Sequence, residues 1–389
     1  MRVLQIASQA GPLHLFMPPL NKALRAAGAE VEFACMPIGA LWEPLCRSES
    51  KVHSLPAGRW SNPVTWWRLY RAVRSLLKSS RFDVMIVHTP AMSWIARCAA
   101  RDLVPAKIYF AHGLPFAPGQ SRLVHFLFRQ IEKFCARYTD AALVVNSDDA
   151  RTAETVRLTT KNGGVYQVPG PGVVLENFSI KPEPSEIDRI EKKFGLRSGN
   201  QMVLFLGRFL KTKRPEDVLE LARRVGPNVD FIMAGEGPLW KKTRAQAQTI
   251  GQHVKVIEFT HDIPLLLARC SLLVLPSVYR EGLPQILLEC GSAAKPAVAY
   301  DIRGVRDIIV DNETGFLVPP ADVNEFCRAV QRLLEDPDLA AKMGAAAQER
   351  MREKFAVRPA LAAIWPAIAE VLRRKGVADL PAEVPNFEA

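Results

Sequence analysis

The chain lacks any uncharged apolar run approaching the ~18–20 residues that a membrane-spanning helix needs. No G-x-G-x-x-G follows the first expected strand, and no G-x-x-x-x-G-K-[ST] occurs anywhere. These two absences weigh against a dinucleotide oxidoreductase and a P-loop phosphotransferase. The seven cysteines are scattered without a C-x-x-C pair, which argues against a zinc site and a disulfide framework. Low-complexity segments are also missing. The opening MRVLQIASQAG reads as a strand rather than a signal peptide, because its apolar run is too short and no cleavage pattern follows. The protein is therefore expected in the cytoplasm.

What remains is a chain of 389 residues, too long for one ordinary core, so two domains are expected. A hydrophobic share of 48% and a charged share of 23% fit a globular protein. The formal charge of +11 asks for an anionic partner: nucleic acid, a phosphorylated substrate or acidic lipid. Nucleic acid is the remote alternative. It predicts base-stacking aromatics beside a basic groove, whereas the cations here are spread over the whole chain.

Apolar strands alternate with helices in two separate series. Val3–Ala7, the loop Ser8–Pro12, a helix over Met17–Ala27 capped by Gly28 and the strand Val31–Ala34 make a βαβ start. Strands at Val84–Val87 and Lys107–Ala111 end at His88 and at His112-Gly113. Residues 176–200, with prolines and a charged stretch, look like an inter-domain connection. A second series then opens with Met202–Leu206, Asp230–Ala234, Val254–Glu258, Leu272–Leu275 and Pro296–Tyr300. Two such series predict an α/β protein with two doubly wound parallel sheets. Ligands bind beyond the carboxyl ends of such strands, so the expected site is the cleft between the domains.

Several loops at those strand ends carry chemistry. Gly207–Arg214 packs four cations (Arg208, Lys211, Lys213 and Arg214) into seven positions after a buried strand. Arg208 offers a fixed fork of donors to phosphate oxygens and Lys213 a mobile charge; the alternative is a solvated basic loop. Gly235-Glu236-Gly237-Pro238 occupies the next such loop. In 276–291, PSVYREGLPQILLECG, Glu281 precedes a Gly282-Leu283-Pro284 turn and Glu289 lies within an apolar helix. A glutamate there is costly to bury without a partner, and a nearby basic group is the simplest candidate. Gly11 would let backbone approach a ligand or make an ordinary tight turn. His112 has room beside it at Gly113, whereas His88 reads as a strand cap. Asp336-Pro337-Asp338 spells a D-x-D metal motif, but Asp336 is a natural helix N-cap and Pro337 a natural first helical residue.

Taken together and in this order, Gly207-Arg208 with Lys213, Gly235-Glu236-Gly237-Pro238, Glu281-x7-Glu289 with Gly282 and Pro284, and His112-Gly113 resemble the retaining glycosyltransferases of family four. The resemblance covers nearly the whole chain and implies the GT-B fold, two Rossmann-like domains facing each other across a cleft. It implies an acceptor-binding domain at 1–178, a nucleotide-sugar-binding domain at 179–357, and a C-terminal helix in 358–389 that packs back onto the first. Arg208 and Lys213 would then bind the donor diphosphate and stabilise its departing charge without a metal or cofactor. Glu281 and His112 would contact the donor sugar, backbone around Gly282 and Leu283 the phosphate, and Glu289 the ribose. Gly207, Glu236, Pro284 and Gly11 complete the implied donor site.

One departure is that many members carry Gly-Gly-x-Pro-Glu where this chain has Arg303-Gly304-Val305-Arg306-Asp307. That variant, with Met17-Pro18, Ala23-Leu24 and Asn62-Pro63, is similar to bacterial enzymes that extend polyprenyl-diphosphate-linked sugars in surface polysaccharide assembly. The implied activity is transfer of a hexose or N-acetylhexosamine from a UDP-sugar to such an acceptor at the inner membrane face. A soluble acceptor or a nucleotide-sugar epimerase is the alternative. Two basic amphipathic segments bear on this. In 121–138, Leu123, Phe126, Leu127, Ile131 and Phe134 alternate with Arg122, Arg129, Lys133 and Arg137, and a role at an anionic membrane surface is expected there. In 59–81 the stripe of Trp66, Leu69, Val73, Leu76 and Leu77 is read as core-facing, with a membrane role as the second reading.

Overall fold

The computed structural model describes residues 1–116, 120–279 and 281–387. Every strand pairing among them is parallel. Parallel strands carry helices on both faces, so their sequences read as unbroken apolar runs. Seven strands form one sheet: β1 (Arg2–Ile6), β2 (Glu30–Cys35), β3 (Val52–Ser54), β4 (Val84–Val87), β5 (Ala106–Ala111), β6 (Ala141–Val144) and β7 (Gly164–Gln167), in the order β3-β2-β1-β4-β5-β6-β7. Six form a second: β8 (Gln201–Leu206), β9 (Val229–Ala234), β10 (Val254–Ile257), β11 (Leu272–Leu275), β12 (Ala297–Tyr300) and β13 (Gly315–Val318), in the order β10-β9-β8-β11-β12-β13. Strand order reverses once in each sheet, between β1 and β4 and between β8 and β11. At such a switch the two connections leave in opposite directions and open a crevice at the strand carboxyl ends.

The chain divides into two compact units, one made of Met1–Gly172 with the segment from Val357 onward, the other of Val173–Ala356. The first boundary lies before residue 178, because Leu175, Phe178 and Ile180 already pack on the core of the second unit. Val173 pairs with Ala356, and the Val173 N–H donates to the Phe355 carbonyl at 2.8 Å, so the two passages of the chain lie side by side. The C-terminal helix Val357–Arg374 runs unbroken through Pro366 and packs on β5, β6 and the helix Pro18–Ala26 of the first unit.

Some local expectations need correction. Residues 176–200 are not a plain connection: Pro184–Phe194 is a helix with a Glu183–Glu186 capping box and Gly195 at φ +64° closing it. Its apolar residues Ile187, Ile190 and Phe194 are thinly spaced among charges, which hid the stripe. The short helix Trp42–Ser48 and the edge strand β3 were also not anticipated. Ser8–Pro12 is not wholly a loop, since the backbone turns helical from Ala10 and continues as a π-turn over Pro12–Phe16. Asp336 accepts the Leu339 N–H at 2.9 Å as the N-cap expected of it. In the Pro63–Ser79 helix, Thr65, Leu69, Val73 and Leu77 are buried and Arg68, Arg71 and Lys78 exposed, the core-facing arrangement preferred for that segment.

Leu361, Ile364, Trp365 and Ile368 from the last helix are buried in the first unit. Ile364→Ala is expected to destabilise that unit by about 2–5 kcal/mol, the usual cost of removing a buried aliphatic side chain, as measured by urea unfolding.

Candidate active site

The β8–β11 switch point gathers most of the residues singled out by sequence. After β8, the Gly207 N–H donates to the Ala234 carbonyl at 3.1 Å and the Phe209 N–H to the Glu236 carbonyl at 2.8 Å. The two glycines of Gly235-Glu236-Gly237 exist for this contact. Gly235 has φ +143°, and a Cβ there would collide with the Gly207 carbonyl oxygen; Gly237 has φ +148°, and its Cβ would lie 2.7 Å from the Phe209 carbonyl oxygen. Backbone therefore lies directly on backbone and holds the basic loop in place. The Glu236 side chain itself is exposed.

The four cations of that loop divide by role. Arg214 takes the left-handed conformation at φ +46°, and its guanidinium is taken up by Asp217 at 2.5 and 2.8 Å. Asp217 also accepts the Tyr300 hydroxyl at 2.6 Å. This structural network was not read from sequence, although Asp217 in the first turn of the next helix was its local signal. Lys211 is exposed. Lys213 forms an ion pair with Glu281 across the switch point, and the Val278 N–H donates to the Thr212 carbonyl at 2.9 Å, stitching the two loops together. Arg208 is exposed and has no ion pair or hydrogen-bonded partner among the described residues. An unpaired guanidinium beside a tethered lysine is an arrangement suited to an anion.

Beyond Glu281, Gly304 at φ +80° lies so close to the Glu281-Gly282 backbone that a Cβ there would collide with the Gly282 carbonyl and lie 2.8 Å from that of Glu281. The departure at 303–307 keeps the one glycine this contact requires. Pro284 is the N-cap of the helix Gln285–Ser292, whose first N–H groups have no acceptor within the helix. Leu287, Leu288 and Cys290 point into the core. The Glu289 carboxyl has no hydrogen-bonded or ionic partner among the described residues, and burial alone pushes its pKa up to about 7. The basic group that was the alternative partner for it is absent among the described residues, so part of the cost of burying it stands uncompensated in the free protein.

Gly11 and His112 belong to the other unit. Gly11 sits in αR geometry at φ −48°, and a Cβ there would meet only Leu41 at 3.8 Å. Neither its conformation nor crowding demands glycine, at a position where alanine favours the helix by about 1 kcal/mol. His112 lies at the end of a buried polar chain. His88 Nδ1 is 3.0 Å from His112 Nε2, His88 Nε2 is 2.7 Å from Gln5 Oε1, and Gln5 donates to Asn21. Burial lowers the pKa of His112 to about 4 and drives that of His88 well below its usual value, so both rings are neutral at pH 7. His88 is thus the support of His112 rather than a simple strand cap. Gln5 and Asn21 were missed; a glutamine inside the apolar run Val3–Ala7 was the available signal.

A separate hollow of about 620 Å³, lined in part by Arg197, Asp230, His253 and Lys255, opens where β9 and β10 begin. Arg197 there is paired with Asp230 at 2.7 Å, and this is the strand end away from the switch-point loops.

The raised pKa of Glu289 has a consequence for stability. Its ordinary value is 4.5 and its folded value about 7, so the unfolded chain ionises first and folding stability falls as pH rises through that window. Glu289→Gln is expected to abolish this loss and to raise the midpoint of the second unit above pH 7. The gain should be on the order of 1 kcal/mol, or about 2–4 °C for a unit of this size. Thermal scans of both proteins at pH 5 and pH 8 check it, with the larger difference at the higher pH.

Residues 186–350 match the family described as Glycosyl transferases group 1, and residues 19–161 match the Glycosyl transferase 4-like domain. The chain is 30% identical to EpsD of Bacillus subtilis (strain 168), a protein named as a glycosyltransferase, over 71% of this chain and 74% of that protein. It is 26% identical to the UDP-Gal:alpha-D-GlcNAc-diphosphoundecaprenol alpha-1,3-galactosyltransferase of Escherichia coli, over 67% and 68% of the two chains. Among solved structures, Anabaena Alr3699/HepE in complex with UDP superposes with a TM-score of 0.77 at 18% identity, covering 96% of this chain and 100% of that one. That likeness agrees with the two parallel sheets and gives the GT-B fold. By these matches the chain belongs to the group 1, GT4-like glycosyltransferases.

Proposed function

We propose that the protein is a retaining glycosyltransferase that moves a hexose or N-acetylhexosamine from a UDP-sugar to a polyprenyl-diphosphate-linked saccharide. The observation that carries the donor half is the convergence at the β8–β11 switch of unpaired Arg208, the Lys213–Glu281 pair and the unpartnered Glu289. Arg208 and Lys213 hold the diphosphate and take up the charge that grows on it as the bond to the sugar carbon breaks. The N–H groups at the start of the Gln285–Ser292 helix add to that field. Glu289, unpartnered in the free protein, accepts hydrogen bonds from the ribose hydroxyls. Glu281 and His112 grip the sugar; a neutral His112 suits a hydroxyl better than a phosphate oxygen. Two side-chain cations do the work of a metal, so no metal or other cofactor is needed.

The acceptor half rests on the sequence features shared with lipid-sugar enzymes and on the E. coli relative named for a diphosphoundecaprenol substrate. Such an acceptor places the work at the inner face of the membrane, in assembly of surface polysaccharide. No helix among the described residues is long and apolar enough to cross a membrane, so this reading requires a surface contact. The same donor site could serve a soluble acceptor or an epimerase. Product analysis with labelled UDP-sugars, with and without a polyprenyl-diphosphate-sugar, separates these from the proposed reaction.

Glu281→Ala is expected to lower transfer at least about a hundredfold while leaving the fold intact. Because it also frees Lys213, UDP without a sugar should bind that variant as tightly as before or more tightly; undiminished transfer would overturn the assignment. Transfer by the unaltered protein is expected to persist in excess EDTA. UDP affinity should rise as pH climbs through about 7, where Glu289 ionises, and Glu289→Gln should flatten that rise. It should also weaken binding about tenfold or more, as expected for losing a hydrogen bond to a charged group. Titration calorimetry at pH 6 and pH 8 measures both effects.

A further inference from the structure

The helix Arg122–Ala136 faces the wrong way for an ordinary amphipathic helix. Leu123 is 67% exposed, Phe126 56%, Leu127 48% and Phe134 49%. These residues share one face at spacings of three, four and seven, so the apolar stripe of the helix points outward. The side turned inward holds Glu132, which is fully buried, with Cys135 and Ala136. Glu132 accepts from the Trp94 indole N–H and from the Arg97 guanidinium, each at 2.7 Å. Arg97 is itself fully buried, hydrogen-bonded to Ser93 and Thr139 and stacked 4.6 Å over the Tyr109 ring. Rolling the helix to hide its stripe would pull Glu132 away from Arg97 and leave two buried charges without partners. The outward stripe is therefore locked in place.

The charge around the stripe is of one sign. Glu132 is the sole carboxylate in 121–138 and is buried. Arg122, Lys133 and Arg137 are exposed, and Arg137 lies over the Phe134 ring at 5.5 Å. We propose that this face seats the protein on an anionic lipid bilayer, with the leucine and phenylalanine side chains among the acyl chains and the cations at the lipid phosphates. A helix of this length offers a contact line of roughly 22 Å, along which a bilayer supplies apolar and anionic material together. A second copy of the chain fits poorly, because a two-fold pairing of this face would set its cations against each other. The inference stands on the first unit alone and does not depend on the donor site.

The test is co-sedimentation of the full chain with vesicles of phosphatidylcholine and with vesicles of equal parts phosphatidylcholine and phosphatidylglycerol. Binding is expected to the second and to be weak to the first. The double variant Phe126→Ser/Leu127→Ser and, separately, Arg122→Gln/Lys133→Gln should each lose binding by about tenfold or more. Thermal stabilisation by UDP is followed on the same proteins. If it is retained, the variants are folded and the loss belongs to the face; if the unaltered protein binds vesicles but not UDP, the donor reading fails and this one stands. Equal binding to both vesicle types, no binding, or binding unchanged in both variants would overturn the proposal. So would a dimer in lipid-free solution that Phe126→Ser disperses.

Discussion

No side chain fits between Gly235 and the Gly207 carbonyl, and the candidate donor site depends on that contact. With backbone resting on backbone, the loop after β8 is fixed by the loop after β9, and Thr212 can then receive Val278 from the loop after β11. Three strand ends are thereby joined into one rigid rim at the point where the sheet reverses. Arg214 completes it from below: an unfavourable φ is held by a two-pronged pair with Asp217, itself anchored by Tyr300. Such strain persists only where the surroundings enforce it. It leaves Arg208 unpaired among the described residues and Lys213 paired with Glu281 above a stiff base.

Arg214 and Asp217 are paired in a structural network, whereas Lys213 and Glu281 pair with each other inside the candidate site. Arg97 and Glu132 are fully buried and matched; separating such a pair costs about 3–5 kcal/mol. His88 and His112 avoid the problem by staying neutral. Arg208 and Glu289, of opposite sign and near the same switch point, are the exceptions. A UDP-sugar would offer each its complement, phosphate to the arginine and hydroxyls to the glutamate.

Most of this architecture was legible in the sequence. The apolar runs of β8, β9, β11 and β12 could be read because a strand buried on both faces has no polar alternation to confuse it. Pro184–Phe194 was missed because its capping residues and stripe lie within a charged, proline-bearing stretch that also describes a linker. The site residues could be named from their spacing, but their states could not. That Arg214 is taken up by Asp217 depends on a tyrosine 83 residues further on, and that Glu289 stands alone depends on what does not approach it. Periodicity showed that Leu123, Phe126, Leu127 and Phe134 share a face, yet it could not show which way that face points. The lone glutamate in an otherwise cationic helix was the hint, since a single buried charge can fix the rotation of a helix more firmly than several apolar residues.

The way the chain passes between its units bears on how it is made. Val173–Ala356 is continuous and can close as soon as it leaves the ribosome. The unit that begins first cannot finish first, because the helix that covers β5 and β6 is encoded after residue 356. The helix that packs on β5 and β6 of the earlier unit is therefore translated only after the whole of the later unit. Domains ordinarily fold in the order in which they emerge; here the last helix of the earlier unit emerges after the later unit is complete.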